Sequence, residues 1–115
     1  MAGDKMTFNM NLQEKYFNYI VNGSKDIEIR LLDEKRSKLS VGDIIIFNSH
    51  DKSIKVKVIN IKLFNSFSDL LSNINGKRIG FSTSSQNVIL NELYSIYSES
   101  KVCKYKVMCI EFKKI

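Results

Sequence analysis

The segment of residues 54–63 constrains the fold more than any other part of this sequence. Its apolar residues recur at every second position, which is the pattern of a β-strand with one buried face. The apolar residues up to Val58 have even numbers, and those from Ile59 onward have odd numbers, so the apolar face changes between these two residues. A β-bulge between Val58 and Ile59 accounts for this change of face, and bulges of this kind bend a long strand around a small barrel. We therefore expect a strongly curved sheet.

Four further strands and three helices are predicted around this long strand. Alternating or short apolar runs predict strands at residues 6–10, 26–32, 44–47 and 103–113. Apolar residues at helical spacing predict helices at residues 12–22, from Ser66 to Asn75-Gly76, and at residues 86–97. Asn11 and Ser66 are predicted as helix caps because an acidic residue follows each one three positions later, and residues 82–85 provide the third cap. The fold class expected is α+β, a small five-stranded barrel, closed or nearly closed, with about three short helices.

Composition and charge define the broad class of protein. At 115 residues the chain is long enough for one hydrophobic core, so we expect a single domain over residues 6–115 behind an N-terminal tail, residues 1–5. The net charge of +6 favours an anionic partner. Cys103 and Cys109 fall on one predicted strand about 20 Å apart, too far to form a disulfide, which indicates a reduced, cytoplasmic protein. No apolar run is long enough to span a membrane, and residues 1–5 do not form a signal peptide.

Neither a metal site nor a cofactor site is predicted. The one histidine, His50, lies in a predicted loop, and together with two separated cysteines it forms no known ligand spacing. The five glycines are scattered and form no glycine-rich phosphate loop. We therefore expect binding or catalysis to depend on side chains alone.

The junction between the first helix and the second strand, residues 23–30, is the candidate site. Gly23 ends the helix, because glycine adopts the left-handed conformation without a Cβ clash. In the strand that follows, Glu28 and Arg30 share one face, opposite the face of the apolar residues, and Lys25 lies at the turn. These three residues are predicted to form the floor of a binding site. An ion network that only fixes the junction is an equally open interpretation.

Basic and aromatic residues support an interaction with single-stranded nucleic acid. Basic residues occur in four candidate patches, which are Lys25 with Arg30, Arg36 with Lys38, Lys55 with Lys57, and Lys77 with Arg78. Tyr19 lies off the apolar stripe of the first helix, so it is the aromatic side chain most available to stack on a base. The predicted ligand-binding residues are Lys25, Glu28, Arg30, Tyr19, Lys77 and Arg78.

Two motifs in this arrangement resemble the ASCH family. The first is G-x-K-x-x-E-x-R, formed here by Gly23, Lys25, Glu28 and Arg30, and the second is V-G-D-x-I-x-F at residues 41–47. The similarity continues through residues 67–71, 79–81 and the final helix and strand. It implies a PUA-like barrel with a cleft between barrel and helices, and a role in binding RNA.

The resemblance also implies an enzymatic alternative. Some small ASCH members hydrolyse an acyl group from the exocyclic amine of a modified cytidine, and at least one member is described as a ribonuclease. The catalytic lysine of those amidohydrolases corresponds to Lys25, and Glu28 stands where they have threonine. Their catalytic carboxylate corresponds to residues 82–85, which are all hydroxyl residues here, and the nearest carboxylate is Glu92.

Three functions are therefore expected from the sequence. The first is binding of RNA or a modified nucleotide in a cleft built on Lys25, Glu28 and Arg30. The second is hydrolysis with Lys25 as the central catalytic residue and Glu28 as a second candidate, for which the lysine must be neutral. Arg30 would favour that neutral form, whereas Glu28 would favour the charged form. The third is a protein-interaction module that uses the same basic surface.

Overall fold

The computed structural model describes residues 5–83 and 85–115, and within these residues the chain forms five strands and four α-helices. The predicted tail therefore lies largely outside the described residues, as does Ser84 of the predicted third cap. The elements are, in chain order, β1 (Thr7–Asn11), α1 (Glu14–Val21), β2 (Ile27–Leu31), β3 (Ile44–Ser49), β4 (Lys52–Phe64), α2 (Phe67–Asn73), α3 (Gln86–Ile96), α4 (Glu99–Tyr105) and β5 (Val107–Lys114).

All five strands belong to one curled sheet in the order β1-β3-β4-β5-β2. β1 runs parallel to β3, and the other neighbours are antiparallel. β4 is the long strand at the centre, and its register with β5 shifts between Val58 and Asn60. The predicted bulge is therefore confirmed, and so is the α+β fold class.

The open edges of the half-barrel, β1 and β2, are linked by a side chain. Nη2 of Arg30 on β2 donates a hydrogen bond of 2.9 Å to the carbonyl oxygen of Asn11 at the end of β1. A side-chain hydrogen bond thus connects the two edge strands, where a closed barrel would have a ladder of backbone hydrogen bonds.

Two hydrophobic cores lie on the two faces of the sheet. One packs the apolar face of β2 against α2, α3 and α4, with Ile27, Ile29 and Leu31 among its members. The other lies on the opposite face, where Phe17 and Ile20 of α1 pack against β3, β4 and β5. Because side chains alternate along a strand, Glu28 and Arg30 point away from the first core.

The start of α1 differs from the prediction. Asn11 is the last residue of β1, and the helix begins at Glu14 after Gln13, which makes no side-chain cap. The backbone N–H of Leu12 donates to the carbonyl oxygen of Asn48 at 2.9 Å, so pairing with β3 continues past Asn11. This pairing holds Asn11 in the strand, and the prediction of Asn11 as a cap is wrong. Ser66 does cap α2, since its Oγ accepts from the N–H of Asp69.

A fourth helix, α4, occupies residues that the prediction assigned to the last strand. Oγ of Ser98 accepts a hydrogen bond from the N–H of Lys101 and caps this helix, and β5 begins only at Val107. Cys103 is consequently exposed on α4, whereas Cys109 is buried in β5, and both are free thiols. The prediction that both cysteines lie on one strand is therefore wrong.

None of the helices among residues 5–83 and 85–115 is long and apolar enough to cross a membrane. Across the same residues, no three His, Cys, Asp or Glu side chains cluster in a way that could hold a metal ion.

Candidate functional site

The bend between α1 and β2 carries the central residues of the site. Gly23 has φ +89°, in the left-handed region that favours glycine. The backbone N–H of Lys25 then donates to the carbonyl oxygen of Tyr19, and that of Asp26 donates to the carbonyl oxygen of Arg78, both at 3.0 Å. These two bonds fix the backbone on both sides of the Lys25 side chain.

Lys25, Glu28 and Arg30 form one connected ion network. Nζ of Lys25 lies 3.0 Å from Oε1 of Glu28, and Nε of Arg30 lies 2.7 Å from Oε2. Lys25 Nζ also donates to the carbonyl oxygens of Ile27, at 2.6 Å, and Ile79, at 3.1 Å. All three N–H donors of an ammonium group therefore have acceptors, and a neutral amine has too few donors for this arrangement.

The three side chains of the network are almost completely shielded from solvent. The side chains of Lys25, Glu28 and Arg30 are 3%, 7% and 15% exposed. Burial favours the neutral form of Glu28, but the charges of Lys25 and Arg30 and their hydrogen bonds outweigh it, so the pKa of Glu28 lies below its usual 4.5. Burial likewise disfavours the charged form of Arg30, and the charge of Glu28 outweighs it and raises the Arg30 pKa. At neutral pH the site thus holds an ionised carboxylate between two cations.

A cleft of about 150 Å³ opens above this network, between α1, β2 and α3. Its wall combines the ion network with aromatic and apolar side chains. The residues that line it are Asn11, Leu12, Gln13, Tyr16, Lys25, Glu28, Ile29, Arg30, Ile79, Phe81, Leu93, Ile96 and Tyr97.

Two tyrosines line the cleft, and each is held in place by a hydrogen bond from its hydroxyl group. The Tyr16 hydroxyl donates to the carboxylate of Glu92 on α3, and the Tyr16 ring centroid lies 5.7 Å from Nζ of Lys25. The Tyr97 hydroxyl donates to the carbonyl oxygen of Ile29 at 3.0 Å. Phe81 packs edge-on against Tyr16 with ring centroids 6.1 Å apart.

These contacts keep both phenols protonated. Burial raises the pKa of Tyr16 well above its usual 10, and the hydrogen bond to Glu92 and the charge of that carboxylate add to the effect. Burial, followed by the charge of Glu28, raises the pKa of Tyr97 to about 12. The hydrogen bond from Tyr16 lowers the pKa of Glu92 against a smaller opposing effect of burial. At neutral pH the cleft therefore contains two neutral phenols near an ionised carboxylate.

The structure brings together three of the six predicted ligand-binding residues. Lys25, Glu28 and Arg30 all line the cleft, whereas Tyr19, Lys77 and Arg78 are not among its lining residues. Arg78 forms ion pairs with Asp26, at 2.9 Å, and Glu111, at 2.8 Å, and Lys77 is exposed on the 3-10 turn Gly76–Ile79. Ligand binding by all six residues stays a prediction.

Tyr16 and Tyr97 were not among the predicted site residues, and Glu92 was named only as the carboxylate nearest to residues 82–85. Tyr16 is buried, but its ring also forms part of the cleft wall. The sequence contained one indication of this role: Tyr16 lies within the apolar stripe of the first helix, and a buried tyrosine hydroxyl needs a hydrogen-bond partner. The partner itself, 76 residues further along the chain, has no local signal.

A curled half-barrel with a cleft above a buried Lys-Glu-Arg network places this chain in the PUA-like class of α+β proteins. Residues 10–115 match the family model of the ASCH domain, and the chain belongs to the ASCH family.

Solved structures agree with this assignment. The crystal structure of hypothetical protein PH0355 is 36% identical with a TM-score of 0.88, and the match covers 96% of this chain and 100% of that one. The solution structure of PF0455 from Pyrococcus furiosus is 33% identical with a TM-score of 0.78, over 96% and 98% of the two chains. A mutant of ZmASCH from Zymomonas mobilis shares the fold at 16% identity, with a TM-score of 0.69 over 96% of this chain and 70% of that one. A comparison with curated proteins found no match to this chain.

Proposed function

We propose that this protein binds a single base of RNA, or of a modified nucleotide, in the cleft above Lys25, Glu28 and Arg30. The observation that carries the proposal is the ionised Glu28 held between two cations in the wall of a narrow cleft. Its carboxylate oxygens offer further acceptor positions, and the guanidinium of Arg30 has further N–H donors. A fixed set of donors and acceptors can recognise the polar edge of a base.

The size and lining of the cleft support one base as the ligand. A cavity of about 150 Å³ holds a single six-membered aromatic ring such as benzene, and the cleft has this volume. Tyr16, Phe81 and Tyr97 provide aromatic surface on which a base can stack, at about 1–3 kcal/mol per base. A base that enters such a cleft must be unpaired, so the ligand class is single-stranded RNA or a free nucleotide. Such a role suits the reduced cytoplasm that the two free cysteines favour.

The hydrogen bonds of Lys25 weigh against covalent chemistry at this residue. A nucleophilic or basic lysine must be neutral, whereas Lys25 has three acceptors around its Nζ, one of them a carboxylate. These contacts occupy the Nζ atom and hold Lys25 against Glu28. The proposal accordingly needs no metal, cofactor or covalent intermediate.

Binding is tested by titrating the protein with the four common nucleosides and with a labelled single-stranded RNA, followed by NMR chemical shifts and fluorescence anisotropy. The substitution Ile96→Glu places a charge in the cleft wall, at a side chain that is 44% exposed, so the fold should tolerate it. The matched control is Ile59→Glu, at a residue on β4 that is 41% exposed and outside the cleft lining. We expect Ile96→Glu to weaken binding at least fivefold and Ile59→Glu to leave it unchanged.

Two further variants locate the binding surface. Glu28→Gln should remove base discrimination, since a good bidentate contact contributes about 1–3 kcal/mol, and its fold is checked by circular dichroism. Lys77→Ala tests the basic loop outside the cleft. Weakening by Lys77→Ala without an effect of Ile96→Glu would move the site away from the cleft and refute the proposal. If neither nucleosides nor RNA bind, the proposal fails, and a protein-interaction module is the function that is left.

An amidohydrolase remains the second candidate because one observation favours it. The Glu92 carboxylate is hydrogen-bonded to the Tyr16 hydroxyl in the cleft wall, although residues 82–85 carry only hydroxyl groups. Acetylated cytidine and labelled single-stranded RNA are incubated with the protein, with Lys25→Ala and with Glu92→Gln. Product that disappears in Lys25→Ala would establish the enzyme, whereas salt-sensitive binding without product supports the binding protein.

A further inference from the structure

A second groove, of about 290 Å³, lies beside the cleft and shares two residues with it. Arg30 and Tyr97 line both spaces and therefore form the boundary between them. The remaining residues of the groove come from the end of β2, from the segment after it and from α4, and they are Leu31, Asp33, Arg36, Lys101 and Tyr105. The two spaces are thus neighbours, so that one ligand can reach from the first into the second.

The groove carries a net positive charge. It contains three cationic side chains, Arg30, Arg36 and Lys101, and one carboxylate, Asp33. Even when the buried Glu28 behind Arg30 is included, positive charges exceed negative ones by one. Positive charge at the border of a base-sized cleft favours an anionic group of the same ligand.

Asp33 is already satisfied by protein donors. Nη1 of Arg36 lies 2.8 Å from Oδ2 of Asp33, and the backbone N–H of Arg36 donates to Oδ1 at 2.9 Å. The hydrogen bonds from Arg36 and its charge outweigh the effect of burial and hold the pKa of Asp33 below its usual value. This pair fixes the Arg36 guanidinium in the groove, and most of its five N–H donors have no acceptor among the described residues.

Arg30 and Lys101 also have donors to spare. Arg30 donates from Nε to Glu28 and from Nη2 to Asn11, and the described residues show no protein acceptor for its Nη1. Lys101 is exposed, and its ammonium has no acceptor among the described residues either. Guanidinium and ammonium groups that converge on one groove match the oxygen atoms of a phosphate group.

We propose that this groove binds the phosphate group of the nucleotide whose base occupies the cleft. The inference rests on the proposed function and narrows the ligand to a nucleoside monophosphate or a phosphodiester of single-stranded RNA, in preference to a free nucleoside. Arg30 connects the two subsites because its Nε–H contacts Glu28 in the cleft and its remaining donors lie at the boundary of the groove.

The test compares each nucleoside with its 5′- and 3′-monophosphates by isothermal titration calorimetry, for cytidine, uridine, adenosine and guanosine. The substitution Lys101→Ala removes a groove cation on α4, and Lys104→Ala is the matched control, since Lys104 lies on the same helix but outside the groove lining. We expect at least one monophosphate to bind about tenfold more tightly than its nucleoside. Lys101→Ala should remove most of that difference and leave nucleoside affinity unchanged, whereas Lys104→Ala should change neither.

Inorganic phosphate separates the nucleotide from a free anion as the ligand. Weak phosphate binding that competes with the monophosphate but not with the nucleoside supports the proposal. Phosphate that binds as tightly as any monophosphate would overturn the assignment to a nucleotide. Nucleosides that bind as tightly as their monophosphates would overturn the phosphate subsite alone, and the proposed function would stand. If no nucleoside and no nucleotide binds, the proposed function itself fails.

Discussion

At the scale of single residues, the site depends on close packing beneath Tyr16 and Lys25. Gly80 has φ +105°, and a Cβ atom at this position would lie 2.7 Å from Cδ1 of Tyr16 and 3.3 Å from Cδ of Lys25. Gly23 has a similar φ of +89°, but a Cβ atom there would have no neighbour within 4 Å. Both positions therefore need a residue that tolerates a positive φ, but only at Gly80 would an added Cβ atom clash with neighbouring side chains.

This difference makes Gly80→Ala a specific test of the cleft wall. Both Gly80→Ala and Gly23→Ala introduce backbone strain, of the order of 1–3 kcal/mol. Gly80→Ala must in addition displace the Tyr16 ring, so we expect it to be the more destabilising of the two in urea unfolding and to weaken nucleotide binding at least fivefold. Gly23→Ala should preserve the affinity of the folded protein. Equal losses of affinity in both variants would contradict the proposed role of Tyr16.

The residues of the ion network were predictable because their arrangement is local. The alternation of β2 places Glu28 and Arg30 on one face, and Lys25 lies only three positions before Glu28. The second half of the site comes from long-range packing, as in the bonds from Tyr16 to Glu92 and from Tyr97 to Ile29. No pattern within one segment specifies such partners, so the sequence indicated the cluster of Lys25, Glu28 and Arg30 but not the tyrosines that line the cleft beside it.

At the scale of secondary structure, the element that was missed is α4, and its sequence explains why. Cys103, Tyr105 and Val107 alternate with Lys104 and Lys106, which gives the period of two typical of a strand. This alternation extended the predicted strand backward into the helix. The helix cap formed by Ser98 and the packing of Val102 in the core favour the helix more strongly than this alternation favours a strand. For β4, by contrast, the change of apolar parity predicted the bulge within one residue.

The end of α4 provides a prediction at this scale. Lys106 has φ 68° and ψ 165°, a combination that almost only glycine adopts without strain. We expect Lys106→Gly to raise the free energy of unfolding by about 1 kcal/mol, since relief of strain of about 1–3 kcal/mol exceeds the entropic cost of glycine, about 0.5–1 kcal/mol. The matched control is Lys104→Gly, inside the helix, which should lower stability by up to about 1 kcal/mol. Urea unfolding measures both, and a loss of stability in Lys106→Gly would show that the backbone there is not strained.

At the scale of the whole molecule, the ion network connects parts of the fold that are distant in sequence. Arg30 joins β2 to the end of β1, and Lys25 joins the α1–β2 bend to the 3-10 turn Gly76–Ile79 through the carbonyl oxygen of Ile79. Glu28 holds both cations in place. The ionised carboxylate therefore helps to hold β1, β2 and the 3-10 turn together, and it also lines the cleft.

This role predicts how the stability of the protein depends on pH. Because the pKa of Glu28 is lower in the folded protein than its ordinary value of 4.5, ionised Glu28 stabilises the fold in full above about pH 4.5. The contribution is lost as the pH falls from there through the lowered pKa, because folding then has to release a proton that the unfolded chain binds. Glu28→Gln leaves two buried cations without their carboxylate, so we expect it to cost about 3–5 kcal/mol at pH 7.

The measurement is urea unfolding of the wild type and of Glu28→Gln at pH 7, 5, 4 and 3. Other carboxylates with lowered pKa values, such as Asp33 and Glu92, are present in both proteins, so their effects cancel in the difference. We expect the difference in unfolding free energy to be constant between pH 7 and 5 and to shrink at pH 4 and 3. A difference that stays constant down to pH 3 would mean that Glu28 has the same pKa in the folded and unfolded chains, and the network would then not hold the half-barrel together through its charge.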